Sequence, residues 1–250
     1  MSTTVAMPDP QPIPPPAEIG AVGRITGMIS APKKTFADIA RRPTWAAPFL
    51  LICALSLIVG VLIGQKTDWR SFFERQMNSN SRLDNTPQEQ KDRIMDAQMK
   101  WAPKTAFVFA LVGAAVSILL IALIYWGAFN LFKGAGLKFS TGLGITSHAF
   151  VPSSIGAVLA IVILLLKPRG EVDPEHFLAS NVAAFLPDSA PHWLTVLGMS
   201  LDIFWIWTLL LIAIGFAAAN TKKIKSGSAY SIVFGLWLLW VFCRVAWAAI

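Results

Sequence analysis

Charge is what this chain lacks most. Asp, Glu, Lys and Arg make up 14% of its residues and hydrophobic types 55%, whereas soluble domains carry about a quarter charged residues. The deficit excludes an ordinary water-soluble globule and fits apolar runs long enough to cross a bilayer. Cysteine is nearly absent: Cys53 and Cys243 fall in separate apolar runs. By helix rise they differ in depth by roughly 10 Å, too far for a disulfide, so both read as buried packing residues. His148, His176 and His192 lie in different segments without metal-ligand spacing. There is no HExxH, GxSxG, CxxC or Walker loop, and no acidic pair inside an apolar run. No catalytic residue, metal ligand or cofactor site is therefore expected, and the chain reads as non-enzymatic. Residues 1–44 hold no apolar core of signal-peptide length, so the first span is expected to serve as its own insertion signal.

What is present is a set of long apolar runs. Five of them, near 46–64, 103–131, 149–166, 194–219 and 229–250, predict an all-α polytopic membrane protein with five transmembrane helices. Short amphipathic helices at the interface complete the reading. Residues 1–17 carry six prolines between positions 8 and 16, a polyproline-like tail. In 18–30, Ile19, Val22, Ile25, Met28 and Ile29 recur at helical spacing, which predicts an amphipathic helix on the membrane surface. A second short helix follows, with Ser30 as cap, Pro32 in its first turn and Phe36 and Ile39 as an apolar edge. Residues 65–102 are the one sizeable polar segment between spans. There Trp69, Phe72, Phe73 and Met77 share a face, and Thr86, Pro87 and Glu89 mark the start of a second helix. The link from Leu131 to His148 is glycine-rich and expected to be partly embedded. Residues 177–193 predict a short surface helix.

The basic residues sit at the ends of these runs rather than on a groove or helix face suited to nucleic acid, so no nucleic-acid role is expected. Lys33, Lys34, Arg41 and Arg42 precede the first span, and Lys222, Lys223 and Lys225 form the turn between the last two. With the N-terminus inside, the inner segments hold ten Lys/Arg and three Asp/Glu, the outer segments ten of each. That bias predicts a cytoplasmic N-terminus and an external C-terminus. It also makes the inner residues a candidate surface for anionic lipid headgroups or an acidic partner. A protein partner would meet either the N-terminal region or the loop 65–102; assembly as a homo-oligomer is left open. Gly60 and Gly64 form a GxxxG that would let another helix approach closely. Asp202 and Arg244 are charges inside apolar runs, at about 12 and 9 Å depth by helix rise. Each costs roughly 2.5–3.5 kcal/mol on insertion scales, which makes them a candidate intramembrane ion pair. Trp237, Trp240 and Trp247 share a stripe with Arg244 and offer a cation–π alternative.

Three stretches, SAPKKTFADIARRPTWAAPFL, KFSTGLGITSHAFVPSSIG and LDIFWIWTLLLIAIGFAAA, in this order and spacing, resemble the YIP domain family of Ypt/Rab-interacting-type membrane proteins, in its bacterial branch. The resemblance implies five spans with a cytoplasmic N-terminus. It also implies a role in organising partners or lipids in the membrane, as eukaryotic relatives do in vesicle traffic through small GTPases. No GTPase-binding residues are matched in this chain. A bacterial cytoplasmic membrane is the expected location, or Golgi and ER membranes if the source is eukaryotic. The alternative reading is a small transporter, channel or lipid-moving protein, supported by the glycine-rich link and by Pro152.

Overall fold

The computed structural model describes residues 19–78, 86–172, 178–187 and 189–249. The proline-rich tail and His176 lie outside them. The secondary structure of the described residues is helical, with a single isolated antiparallel bridge, Asn181 to Asp202, and no strand among them. The protein is an all-α polytopic membrane protein.

Two short helices come first, α1 (Ala21–Ser30) and α2 (Pro32–Arg41). Pro32 opens α2, but the residue before it, Ala31, is the N-cap, and Ser30 instead bonds back to the Thr26 carbonyl. The two helices meet where Gly27 faces Thr35; a Cβ on Gly27 would lie 2.3 Å from the Thr35 hydroxyl. The face that α1 buries differs from its apolar stripe. Arg24, Gly27 and Met28 point inward while Val22 and Ile29 are exposed. Tertiary polar contacts of Arg24 outweigh hydrophobic periodicity there, so α1 packs on protein rather than lying freely on a surface. The apolar edge of α2 is as its sequence predicts. Phe36 and Ile39 are fully buried, each worth roughly 1.5–3 kcal/mol relative to exposure in water.

Among the described residues, four helical segments have membrane-spanning length and hydropathy. These are α3 (Ala46–Lys66), the later part of α5 (Gln88–Lys133), the interrupted α6 (Phe139–Ala149) and α7 (Val151–Leu166), and α10 (Ser226–Ala248). The fourth apolar run is split into α8 (His192–Ser200) and α9 (Ile203–Ala219). At 17 residues, α9 covers about 25 Å, short of the ~30 Å hydrocarbon thickness. Two boundaries differ from the sequence reading. The glycine-rich link is helical from Phe139, and α6 is buried from Thr141 to Ala149, so the third run is longer than 149–166. The polar helix after Pro87 and the second span are one continuous 46-residue helix, α5. Its N-cap is Pro87 rather than Thr86. Pro103 lies within α5 without ending it, and the Thr105 hydroxyl bonds back to the Trp101 and Ala102 carbonyls in the following turn. The short helix expected in 177–193 is a 3₁₀ turn, Val182–Phe185, laid against α8.

The core runs along α9, with α2 and α6 at one end and α10 beside it. Phe129 and Phe216 stack there, ring centroids 4.3 Å apart. Of the two cysteines, Cys53 is partly buried and Cys243 is exposed on α10, and both are free; Cys243 is therefore not a packing residue within the chain. Outside the spans, α4 (Trp69–Asn78) lays Phe73 on Met95 and Ala102 of α5, with Trp69, Phe72 and Met77 around them. Asp68 starts α4. Its carboxylate accepts from the backbone N–H groups of Arg70 and Ser71 and from the Ser71 hydroxyl.

Only one glycine of the GxxxG makes the close approach. A Cβ on Gly60 would lie 2.1 Å from the Ala110 Cβ of α5, whereas one on Gly64 would meet nothing within 4 Å. Gly60→Leu is accordingly expected to lower stability in detergent by about 1–3 kcal/mol through overpacking, and Gly64→Ala to leave it unchanged or raise it by up to about 1 kcal/mol, both read by thermal melting. The hydrogen bond from the Ser71 side chain, foremost among its contacts, holds the Asp68 carboxyl below its ordinary value of 3.8. The cap therefore acts fully above that value and is lost as pH falls through the lowered folded-state value. Trp69 emission should report α4 loosening only in that acidic range, and Ser71→Ala should move the transition to higher pH.

Candidate functional site

At one end of the bundle the chain builds a latch. Arg24, on the inward face of α1, is 5% exposed. Its Nη2 lies 2.8 Å from Asp38 Oδ2 and its Nε donates to the same carboxylate at 2.9 Å. Nη1 donates to the Arg42 carbonyl at 3.2 Å and to the Thr44 hydroxyl. The planar guanidinium thus joins α1, α2 and the linker into α3, which is the fork geometry that arginine supplies and lysine does not. Sequence reasoning passed over Arg24. The available signal was Asp38, the sole acid between residues 19 and 67, set among cations that it could pair with.

The latched hairpin sits on α6 and α9. A Cβ on Gly144 would lie 3.0 Å from the Thr44 carbonyl, and one on Gly215 would lie 3.0 Å from the Phe36 ring and closer still to Ile145. His148, almost fully buried on α6, donates through Nδ1 to the Gly144 carbonyl at 2.8 Å, so it is satisfied within its own helix. Next to it, the hydroxyls of Thr146 and Ser147 are buried without a hydrogen-bond partner. Two loops close the same end. Asn220 donates to the Ala135 carbonyl at 2.9 Å, and Lys223 reaches the Gly134 carbonyl. Lys33, Lys34, Arg41, Arg42, Lys222, Lys223 and Lys225 are all exposed, the first four on the hairpin that packs against α9 and the last three on the turn that follows α9, which makes them a candidate basic face. Lys138, also exposed on the second loop, extends it.

The other predicted pair is not brought together. Because the fourth apolar run is interrupted at Leu201, Asp202 is the N-cap of α9 and not a mid-helix charge. Its Oδ1 accepts from the Trp205 N–H at 2.9 Å, and its Oδ2 accepts from the Ser180 hydroxyl. The Ile203 N–H donates to the Ser180 carbonyl at 3.0 Å. Arg244 instead lies over the Trp240 ring, 4.7 Å from its centroid. A capped carboxylate does not need the cation, and Trp240, one turn earlier on the same helix, is nearer to the guanidinium; the candidate Asp202–Arg244 ion pair is replaced by a cap and a cation–π contact. The serine partner of Asp202 was not legible in sequence, since it lies 22 residues upstream in an irregular segment.

Removing one partner of the latch leaves the other charge buried, a loss of about 3–5 kcal/mol. Asp38→Asn and Arg24→Gln should each lower the melting temperature strongly and expose the α1–α2 linker to protease, while the double replacement Arg24→Met with Asp38→Leu should recover part of the loss.

Comparison with known proteins agrees with this architecture. The family model described as Yip1 domain matches residues 26–245, a span that begins just after Arg24 and takes in Asp38, the basic residues of the hairpin and of the 222–225 turn, and the interrupted fourth run. Membrane protein YknW of Bacillus subtilis (strain 168) is 23% identical over 214 residues, 84% of each chain. No solved structure matches the chain. On the strength of a match that covers nearly all of its helices, the chain belongs to the Yip1 domain family of membrane proteins.

Proposed function

We propose that this protein is a non-enzymatic organiser of the membrane that gathers anionic lipid headgroups on its basic face. The observation that carries the reading is the latch. Arg24 consumes the one acid of the hairpin, Asp38, and α2 is plugged into the core by Phe36 and Ile39. The remaining cations of the hairpin are then held in fixed positions beside those of the 222–225 turn. A rigid basic platform at a bundle end attracts phosphate-bearing headgroups by about 1 kcal/mol per cation. On this reading the platform faces the cytoplasm of a bacterial cell, with the C-terminus outside, which accords with the positive-inside rule. Acidic segments of a protein partner would use the same surface.

A second reading, a lipid-moving protein, draws on the broken α6–α7 and α8–α9 runs, since interrupted helices at membrane depth are characteristic of transport proteins. Scrambling of labelled lipid in vesicles that hold the purified protein would establish it.

For the leading reading, the protein is extracted with its surrounding lipid from vesicles of mixed phosphatidylglycerol and phosphatidylcholine. Wild type should retain phosphatidylglycerol above its bulk fraction. Replacing Lys33, Lys34, Lys222 and Lys225 by Gln should return it towards bulk, by about fivefold per cation in local affinity at low salt. An unchanged fraction in the variant would sink the proposal.

A further inference from the structure

At the end of the bundle opposite the basic face, α3, α5, α7 and α9, with the segment at Leu178 and Ser180, border an open groove of about 360 Å³, within the range of ordinary small-ligand sites. Its long wall is apolar, formed by Ile52, Val59, Ala157 and Phe204. Its head is polar and made of Ser153, Ser154, Ser180 and Asp202. None of the described lining residues is basic. The Asp202 carboxylate takes one donor on each oxygen, and a carboxylate has about four lone-pair sites, so each oxygen can accept once more. The Ser154 hydroxyl is buried and has no hydrogen-bond partner. The groove therefore presents acceptors with an uncompensated negative charge, one free hydroxyl, and an apolar channel beside them.

The walls of this groove belong to membrane-spanning helices, so its occupant arrives from the bilayer and carries an apolar chain. A purely anionic headgroup is repelled by Asp202. A quaternary choline offers charge but no N–H to a carboxylate, whereas a primary ammonium offers three donors and makes charge-assisted bonds. We propose that this groove binds a bilayer aminophospholipid, its primary ammonium on Asp202 and one acyl chain along Ile52, Val59 and Phe204. The Ser154 hydroxyl is placed to donate to the adjoining phosphate. The site is independent of the basic platform and selects by the headgroup's ammonium rather than by its phosphate.

The test uses the full-length protein, delipidated in detergent and titrated with phosphatidylethanolamine or phosphatidylcholine of equal chain length, with bound lipid counted by native mass spectrometry. Wild type should bind phosphatidylethanolamine about tenfold more tightly than phosphatidylcholine, the worth of a charge-assisted hydrogen bond. Asp202→Asn keeps an amide oxygen to cap the Trp205 N–H, so its melting temperature should hold while the preference disappears. Ala157→Trp, distant from the cap, fills the channel and should abolish retention of both lipids at this site. Equal affinity for the two lipids, a preference that survives Asp202→Asn, or binding untouched by Ala157→Trp would each overturn the proposal. So would full displacement by free ethanolamine, which lacks the chain.

Discussion

A helix that breaks inside a bilayer frees amide and carbonyl groups that no water can reach, and each one left unpaired costs several kcal/mol. That constraint organises this molecule. Two of its five apolar runs are interrupted, at Phe150 and at Leu201. The first interruption is eased by the Phe150 N–H, which bonds the Thr146 carbonyl. The second is repaired from outside the run: Ser180 and Asn181 come alongside Asp202, the Ser180 carbonyl accepts the Ile203 N–H and its hydroxyl donates to the carboxylate, which stays at the helix start. The groove beside Asp202 is the space that this repair defines.

The opposite end solves a different problem. A short hairpin bearing cations and a glycine-rich helix have little hydrophobic area with which to hold themselves together. Arg24 and Asp38 supply the directional bonds, and Phe36 and Ile39 supply the buried area. Neither alone would fix the hairpin, because a buried ion pair gives geometry more than net stability, whereas apolar contact without direction tolerates sliding. Together they set the basic residues in one arrangement, on which the proposed gathering of anionic lipid depends.

The architecture was largely legible in the sequence because membrane helices announce themselves by length and hydropathy. All five apolar runs exist as helices, the α2 edge is Phe36 and Ile39, and the α4 face is Trp69, Phe72, Phe73 and Met77. What failed to show were the features that depend on long-range polar partners. Asp202 reads as a mid-span charge until Ser180 and the break at Leu201 are placed beside it. The apolar stripe of α1 reads as its buried face until Arg24 finds Asp38. Gly64 reads as equal to Gly60, since a GxxxG pattern does not reveal which glycine meets Ala110. Hydrophobic periodicity reports what leaves water; it is silent about which polar group another polar group will choose.

The continuity of α5 has a mechanical side. The helix is 46 residues long and its spanning portion begins at Lys104, so about 24 Å of stiff rod stands beyond the lipid by helix rise. With α4 clamped to that stem through Phe73 and Met95, any tilt or roll of the submerged portion swings the emergent portion as a lever, and small displacements beside Ala110 become larger excursions near Gln88.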